Sequence, residues 1–298
     1  MHITVLEEEA VAHLNLKKDS VVVDCTLGSG GHAKNILTHL GKQGVYFGID
    51  VDESAIEKVS KSLPETDAKV VLTEGNFRNI DTLVKEGGLE RVDAILADLG
   101  WRMEQFDGET KFPRGFSFKK DEPLAMTYGN PANYAFTAYD IVNDWHKEDI
   151  ANVIYAYGEE RYSRRIAKAI VDAREKEPIA SSLALADVVA SAVPGGYRKG
   201  KTHPATKTFQ ALRIAVNDEF DALRDLLLSG FELLAPQGRM AIITFHSLED
   251  RIVKETFKLL TRDQKGVLVT KKPVAPTQEE LQKNPRARSA KLRIIEKV

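Results

Sequence analysis

A glycine-rich loop near the start of the chain limits what its first hundred residues can form. Gly28, Gly30 and Gly31 lie between an apolar, β-branched run at 21–23 and a helical pattern that begins at His32. Such a run is typical of a strand buried on both faces of a sheet. A glycine loop between a buried strand and a helix N-terminus lets a ligand approach bare backbone N–H groups. The same pattern also fits a plain turn between strand and helix, so further residues must decide.

Acidic or aromatic residues follow each of the first four predicted strands. Asp24 and Asp98 end the first and fourth strands, Asp50 ends the second, and Phe77 lies just past the third. Strands that alternate with helices predict a doubly wound, mostly parallel sheet, whose ligands collect at the carboxyl ends of the strands. We therefore expect these four side chains to line one crevice. Asp50 follows Gly28 by 22 positions, near the ~20 at which nucleotide folds place an acid for a ribose hydroxyl.

The middle of the chain has a different pattern. Apolar side chains recur there at helical spacing without an intervening strand, which predicts an all-helical insertion in an α/β protein. We expect residues 1–130 and 206–298 to form the α/β domain, with a Rossmann-like sheet, and residues 131–205 to form the inserted domain. One long helix is expected over 207–234.

Composition excludes several classes of protein. No apolar run approaches the ~18 residues of a membrane span, and a single cysteine, Cys25, excludes an internal disulfide and a multi-cysteine zinc site. We expect no metal, no membrane and a cytoplasmic location. The net charge of −2 is unevenly distributed, because 194–207 and 284–298 are rich in Lys and Arg. Such segments fit a phosphate-rich partner or a solvated surface, and charge alone leaves both open.

Residues around the loop distinguish two cofactors. Gly28-x-Gly30-x-x-Ala33 satisfies the dinucleotide fingerprint, so an NAD-dependent dehydrogenase is one interpretation. Asp24-x-x-x-Gly28-x-Gly30 resembles instead the D-x-x-x-G-x-G signature of S-adenosylmethionine-dependent methyltransferases. A methionine carboxylate and amine, unlike a pyrophosphate, would use both Asp24 and the loop N–H groups. We therefore favour S-adenosylmethionine.

The glycine loop belongs to one of eight longer motifs that are distributed along the chain. They are Asp24-x-Thr26-x-Gly28-x-Gly30-Gly31-His32, Gly48-Ile49-Asp50-x-Asp52, Asp98-Leu99-Gly100, Arg114-Gly115-Phe116-Ser117-Phe118, Tyr157-Gly158-Glu159-Glu160-Arg161, His203-Pro204-Ala205-Thr206-x-Thr208-Phe209-Gln210-Ala211-Leu212-Arg213, Phe245-His246-Ser247-Leu248-Glu249-Asp250-Arg251-x-Val253-Lys254 and Asn284-Pro285-Arg286-Ala287-Arg288-Ser289. With these stretches the sequence resembles the bacterial 16S rRNA (cytosine N4)-methyltransferase family over nearly its whole length.

This resemblance implies S-adenosyl-L-methionine as the cofactor and a reaction at the exocyclic N4 of a cytidine in the decoding centre. The implied partner is 16S rRNA within the small ribosomal subunit, with the inserted domain, 131–205, as the expected RNA recognition domain. A homodimer is implied as well. Together with the glycine motif, the resemblance gives these candidate cofactor residues: Asp24, Gly28, Gly30, Gly31, His32, Asp50, Phe77, Asp98 and Gln105.

Three residues are candidates for the chemistry. Asp98 would orient the cofactor or the target amine. Trp101 would stack on a flipped cytosine, or fill the root of the insertion. His246 would accept the departing proton, or cap the helix that follows it. His32 is expected to be a neutral ring, because a helix N-terminus disfavours a positive charge.

Residues in or near the two basic segments are the candidate RNA contacts, on the basis of charge together with the family motifs. They are His203, Lys207, Arg213, Arg286 and Arg288. Each has surface solubility as its alternative role.

Two stretches depart from the family pattern. Trp101-Arg102-Met103 stands where Val-Ser-Ser is usual, and Pro123-Leu124-Ala125-Met126-Thr127-Tyr128 replaces Pro-Leu-Asp-Met-Arg-Met. Both lie in the loop that is expected nearest the target base. A second interpretation is therefore an S-adenosylmethionine-binding ribosome-assembly factor with reduced or no catalysis.

Overall fold

The structure is a computed structural model that describes residues 3–100, 114–200 and 202–298. The chain divides into two compact units, Met1–Gly100 with Phe220–Val298, and Trp101–Glu219. The first is an α/β unit and the second is helical. Each unit is described by itself below.

Regular elements are numbered along the chain within these described residues. The strands are β1 Val21–Asp24, β2 Val45–Asp50, β3 Lys69–Glu74, β4 Val92–Asp98, β5 Leu234–Thr244, β6 Gly266–Leu268 and β7 Lys291–Lys297. The helices are α1 Glu7–Leu14, α2 Gly31–His39, α3 Glu53–Ser60, α4 Ile80–Glu86, α5 Ala138–Asp144, α6 Lys147–Gly158, α7 Ser163–Arg174, α8 Ser182–Ala192, α9 Gly195–Arg198, α10 Thr206–Asn217, α11 Glu219–Asp225, α12 Phe231–Leu233, α13 Ser247–Arg262 and α14 Gln278–Lys283.

One sheet organises the α/β unit, in the strand order β3-β2-β1-β4-β5-β7-β6. Strands β1 to β5 are mutually parallel, whereas β7 runs antiparallel to both β5 and β6. Helices cover both faces, since Ile36 of α2 is buried in one apolar cluster and Phe257 of α13 in the other. The predicted doubly wound, mostly parallel Rossmann-like sheet is confirmed.

The first four strands end at one edge of this sheet. Asp24 of β1 is paired in register with Gly48 of β2 and Leu96 of β4. Backbone hydrogen bonds then fix the turns that follow, because the Leu27 N–H donates to the Ile49 carbonyl (2.9 Å) and the Gly75 N–H to the Asp50 carbonyl (2.9 Å). This edge of the sheet is therefore where the predicted crevice residues must be sought.

The helical unit is larger than predicted, because it is Trp101–Glu219 rather than residues 131–205. Phe116 and Met126, which precede residue 131, are buried in the same apolar cluster as Ile154 of α6 and Leu212 of α10. Residues on both sides of the expected insertion thus belong to its core. The predicted boundaries are corrected accordingly.

The helix predicted over 207–234 is broken. α10 ends at Asn217, and Asp218 adopts a left-handed φ of 48°. The Asn217 side-chain amide donates to the carbonyls of Met126 (2.7 Å) and Arg213 (2.8 Å), which fixes the end of α10 inside the helical unit.

Among the helices described, none has both the length and the apolar character that a membrane span requires.

Candidate functional site

The glycine loop has the geometry that its sequence requires. Gly28 and Gly30 have φ values of 55° and 77°, in the left-handed region that favours glycine. Gly31 begins α2, and a Cβ added to it would lie 1.7 Å from the Thr4 hydroxyl oxygen. The loop therefore cannot take side chains without strain, and it keeps a bare backbone beside the carboxyl edge of the sheet.

Asp50 is fixed by this loop. One carboxylate oxygen accepts a hydrogen bond from the Gly28 N–H (2.9 Å) and the other from the Asp52 N–H (2.9 Å). These two bonds fix the orientation of the carboxylate, whose oxygens can each accept more than one hydrogen bond. Its contact with a ribose hydroxyl remains a prediction.

Asp24 lies beneath the loop and is only 1% exposed. Its carboxylate accepts from the Tyr46 hydroxyl (2.7 Å) and from the Thr26 N–H (3.1 Å), and the Thr26 hydroxyl in turn accepts from the Asp98 N–H (2.7 Å). Burial raises the pKa of Asp24, and His32, Tyr46 and Thr26 partly offset that rise. Asp24 thus joins two strand ends from within the unit, and its predicted contact with the cofactor remains a prediction.

Thr26 and Tyr46 were not among the predicted site residues. The position of Thr26 in the motif Asp24-x-Thr26-x-Gly28 was an available signal, since a hydroxyl between two strand-end acids can bond to both strands. Tyr46 gave no comparable signal, because its contact with Asp24 depends on the pairing of β1 with β2.

His32 and Asp98 face each other at this edge. His32 Nε2 lies 3.6 Å from Asp98 Oδ2, with the side chains 5% and 21% exposed. Burial lowers the pKa of His32, but Asp98, with Asp24 and Glu7, outweighs that effect, so the pKa is raised. This direction runs against the expectation of a neutral ring, because acidic side chains from other segments favour protonation of His32.

Buried polar atoms at this edge lack protein partners. Asp98 Oδ1 and both ring nitrogens of His32 are inaccessible to solvent and have no hydrogen-bond partner among the described residues. Native proteins rarely leave such groups unsatisfied, so each one needs an explanation. Phe77, half-buried in the turn after β3, adds an aromatic surface to the same edge of the sheet. Acceptors, an aromatic ring and a bare loop fit a nucleoside-type cofactor.

His246 caps a helix. It is the N-cap of α13, where its Nδ1 accepts from the Glu249 N–H (3.3 Å) while Glu249 accepts from the His246 N–H (3.2 Å). The other ring nitrogen lies 3.1 Å from a Glu249 carboxylate oxygen. The structural alternative given by the sequence is thus what the geometry shows, and a role as general base remains a prediction.

Three of the residues predicted to contact RNA lie in the helical unit, where two are exposed and one is buried. His203 is exposed and stacks on Phe118 with ring centroids 4.4 Å apart, and the exposed Lys207 donates to the Glu159 carbonyl (2.9 Å). Arg213 is only 7% exposed and makes a two-pronged bond to Glu219 at 2.8 and 2.9 Å. Arg213 is therefore corrected from a surface contact to an internal ion pair.

The basic C-terminal segment is also divided. Lys291 and Arg293 bind the Asp250 carboxylate at 2.9 and 2.7 Å, which ties β7 to α13. Arg286 and Arg288 are exposed in a short 3₁₀ turn and have no ion pair with any described residue. Both arginines are thus exposed, like His203 and Lys207, and the contact of these residues with RNA remains a prediction. Trp101 and Gln105 lie outside the described residues.

The departures from the family pattern lie partly in described residues. Met126 N–H donates to the Arg114 carbonyl (2.7 Å), and Gly115, with a φ of 72°, has its N–H bonded to Glu122 (3.0 Å). A Cβ on Gly115 would lie 2.4 Å from the Pro123 carbonyl oxygen. The segments 114–118 and 123–128 thus interlock within the helical unit, and Ala125 belongs to that structure.

The sheet order, the single reversed strand β7 and the acid-lined glycine loop define an S-adenosylmethionine-dependent methyltransferase. The model of the MraW methylase family matches residues 1–298, and the chain belongs to this family. The family resemblance inferred from the motifs is confirmed, and the dehydrogenase interpretation is excluded by it.

Curated relatives match the chain over its full length. A ribosomal RNA small subunit methyltransferase H from Brevibacillus brevis is 44% identical, with 100% of this chain and 98% of the relative covered. The protein of the same name from Clostridioides difficile is 39% identical, with 100% and 99% covered. Among solved structures, a methyltransferase homolog from Pyrococcus horikoshii aligns with 100% of this chain and 68% of its own, at 13% identity and a TM-score of 0.45.

Proposed function

We propose that this methyltransferase modifies the exocyclic N4 of a cytidine in 16S rRNA, within the small ribosomal subunit. The observation that carries the proposal is the 44% identity, over the full length, to a relative named ribosomal RNA small subunit methyltransferase H. The choice of cytosine N4 comes from the sequence motifs and from the chemistry at the end of β4. A cytoplasmic location and a homodimer are further expectations from the same resemblance, which fractionation and sedimentation would test.

The residues at the carboxyl edge are suited to hold the cofactor. Asp50, fixed by two backbone donors, would accept ribose hydroxyls, and the half-buried Phe77 ring would pack on the adenine. The loop containing Gly28, Gly30 and Gly31 would admit the methionine part close to the backbone. When bound, S-adenosylmethionine supplies an electrophilic methyl group on sulfur.

Cytosine N4 is a poor nucleophile, because its lone pair is delocalised into the ring. An acceptor that receives a hydrogen bond from the amine can orient the nitrogen lone pair toward an electrophile. Positioning and electrostatics of this kind supply most of the catalysis. Asp98 Oδ1 is a buried acceptor without a hydrogen-bond partner among the described residues. We assign this role to the Asp98 carboxylate, whose side chain is 21% exposed, with His32 beside it at 3.6 Å. Trp101, three positions on, is the predicted base-stacking residue.

The test uses labelled S-adenosylmethionine and small subunits from a strain that lacks the enzyme. After incubation, 16S rRNA is digested to nucleosides, and the label is expected in N4-methylcytidine. Label in another nucleoside, or at C5 of cytosine, would contradict the proposed chemistry. Cofactor binding by calorimetry without any label transfer would support the assembly factor instead.

Asp98→Ala separates chemistry from binding in the same assay. Removal of one positioned electrostatic group typically reduces kcat by about 10²–10³-fold. We expect a loss of that order at saturating cofactor, while Trp101→Ala should raise the KM for subunits, since stacking on one base is worth ~1–3 kcal/mol. Exposed Asp81→Asn, on α4, is the control and should change neither constant.

A further inference from the structure

One end of the α6–α7 hairpin carries an unusual density of exposed cations. The helices are joined by four residues, 159–162, so they form a hairpin whose far end lies at Lys147 and Arg174. Arg161, Arg164 and Arg165, at and just after this connection, are all exposed. Arg161 lies in the connection itself, and Arg164 and Arg165 lie in the first turn of α7. Three arginines therefore project from one end of the hairpin.

The short helix α9 adds to the same end. Arg161 lies over the Tyr162 ring at 4.8 Å and over the Tyr197 ring at 5.3 Å, and the two rings make an edge contact at 5.1 Å. Tyr197 is followed directly by the exposed Arg198 and Lys199. The aromatic contacts thus bring two further cations to the arginines.

No acidic side chain in the described part of the chain pairs with these cations. Among the described carboxylates, none forms an ion pair with Arg161, Arg164, Arg165, Arg198 or Lys199. Glu160 is 0% exposed and is used internally, since it accepts from the Tyr162 N–H (2.8 Å) and from the Tyr197 hydroxyl. Glu159 is the one exposed acid of the connection. A positive surface therefore exists on a chain whose net charge is −2.

The cations lie where the helix dipole disfavours positive charge. The first turn of α7 contains no acidic residue, and cations near a helix N-terminus oppose the helix dipole. Like charges this close also repel one another. An arrangement that costs stability in the free protein is explained if an anionic partner neutralises it.

An exposed aromatic residue adjoins the cations. Tyr155 is 66% exposed on the last turns of α6, and its carbonyl accepts from the Glu159 N–H (3.0 Å) at the connection. Lys207 donates to the Glu159 carbonyl (2.9 Å), which places one more amine there. Cations combined with an exposed aromatic ring are typical of surfaces that bind single-stranded nucleic acid.

We propose that this hairpin-end patch, comprising Tyr155, Arg161, Arg164, Arg165, Arg198 and Lys199, binds the phosphate backbone of a single-stranded segment of the substrate rRNA. The proposal rests on the proposed rRNA function and names the surface that would bind the RNA. Phosphate contacts fix the position of an RNA without reading its sequence, so the patch would act on affinity rather than on the choice of base.

The decisive variant is Arg164→Ala with Arg165→Ala, because both side chains are exposed and neither has an ion pair with a residue that the structure describes. Its control is Lys147→Ala with Lys176→Ala, which removes the same charge from exposed positions at the other end of the hairpin. Binding of small subunits is measured by polarisation or sedimentation at several salt concentrations. We expect the patch variant to bind about tenfold or more weakly, with a salt slope reduced by ~1.4, at ~0.7 for each single-stranded phosphate. The control should match the wild type.

Kinetics separate failure of this proposal from failure of the proposed function. The patch variant should raise the KM for subunits and leave kcat and cofactor affinity unchanged, with an unaltered circular dichroism spectrum. If the wild type methylates subunits and the patch variant does so with an unchanged KM, the patch proposal is overturned and the proposed function stands. An equal loss in the control, or binding to phosphatidylglycerol vesicles instead of RNA, would overturn it too. Absence of methylation by the wild type would count against the function.

Discussion

His32 Nε2 lies 3.6 Å from Asp98 Oδ2, although 66 residues separate the two in the sequence. His32 begins a helix and Asp98 ends a strand, and the pairing of β1 with β4 brings those ends together. Both side chains keep polar atoms without hydrogen-bond partners among the described residues. The pair therefore combines largely buried ionisable side chains with polar atoms that the described protein leaves unsatisfied, which is expected of a site rather than of a core.

Asp98→Asn should lower the pKa of His32. Asp98 contributes most to the rise of that pKa, against the opposing effect of burial. Nuclear magnetic resonance of the His32 ring across pH reports its midpoint directly. We expect a midpoint above 6.5 in the wild type and a clear fall in the variant, whereas Asp81→Asn, at an exposed carboxylate, should leave it unmoved.

The same pair makes stability depend on pH in a defined direction. Because the folded-state pKa of His32 is raised above its ordinary value of 6.5, its stabilisation is fully present below pH 6.5 and is lost as pH rises through the folded-state pKa. The wild type should therefore have a higher unfolding free energy than Asp98→Asn below pH 6.5, and this difference should decrease above that pH. Urea unfolding at a series of pH values measures it. An excess that grows with pH would contradict this assignment.

Gly31→Ala should destabilise the α/β unit. The new Cβ would lie 1.7 Å from the Thr4 hydroxyl oxygen and 2.9 Å from the Thr4 Cβ. Overpacking of this kind costs about 1–3 kcal/mol. Thr4→Ala in the same chain removes the closest atom and should recover most of the loss in a double-mutant cycle. Gly196→Ala, which meets no atom within 4 Å, is the control and should be neutral.

Much of the α/β unit could be predicted from the sequence, because its signals are local. Runs of buried residues marked β1, β2 and β4, and the acids that end them fall at the carboxyl edge as expected. The predictions that failed depend on contacts that the sequence does not display. Arg213 lies near a basic segment and was therefore predicted to contact RNA, but the sequence does not show that Glu219 accepts two hydrogen bonds from it. The dipole of α2 likewise predicts a neutral His32, whereas acids distant in the sequence raise the pKa of its ring.

Asp250→Asn should weaken the attachment of α13 to β7. Asp250 accepts from Arg293 at 2.7 Å and from Lys291 at 2.9 Å, and its side chain is 11% exposed. Removing the carboxylate leaves the largely buried Arg293 uncompensated, whereas the Lys291 side chain is 43% exposed and is screened by solvent. We therefore expect a loss of about 2–3 kcal/mol in unfolding free energy, less than for a fully buried pair. Asp263→Asn, in an exposed pair with Arg262, should cost under ~1 kcal/mol.

The ion pairs of Asp250 also predict the pH range in which Asp250→Asn loses stability. Burial opposes ionisation of Asp250, but Arg293 and Lys291 outweigh it and lower its pKa below the ordinary 3.8. The stabilisation is therefore present above pH 3.8 and is lost as pH falls through the folded-state pKa. The difference between wild type and Asp250→Asn should be constant near neutrality and shrink in acid. A difference that does not depend on pH would contradict the ion pair.

His246→Asn and His246→Ala distinguish a helix cap from a general base. Asparagine is a strong N-cap and can accept from the Glu249 N–H as Nδ1 does now, whereas alanine cannot, at a cost of about 0.5–2 kcal/mol. If His246 only caps α13, the asparagine variant keeps both stability and methylation rate, and alanine loses stability. Thr277→Ala, which removes the cap of α14, should lower stability by a similar amount without an effect on the rate. A large loss of kcat in His246→Asn at wild-type stability would instead establish the ring as the proton acceptor, because asparagine replaces the cap but not the titratable nitrogen.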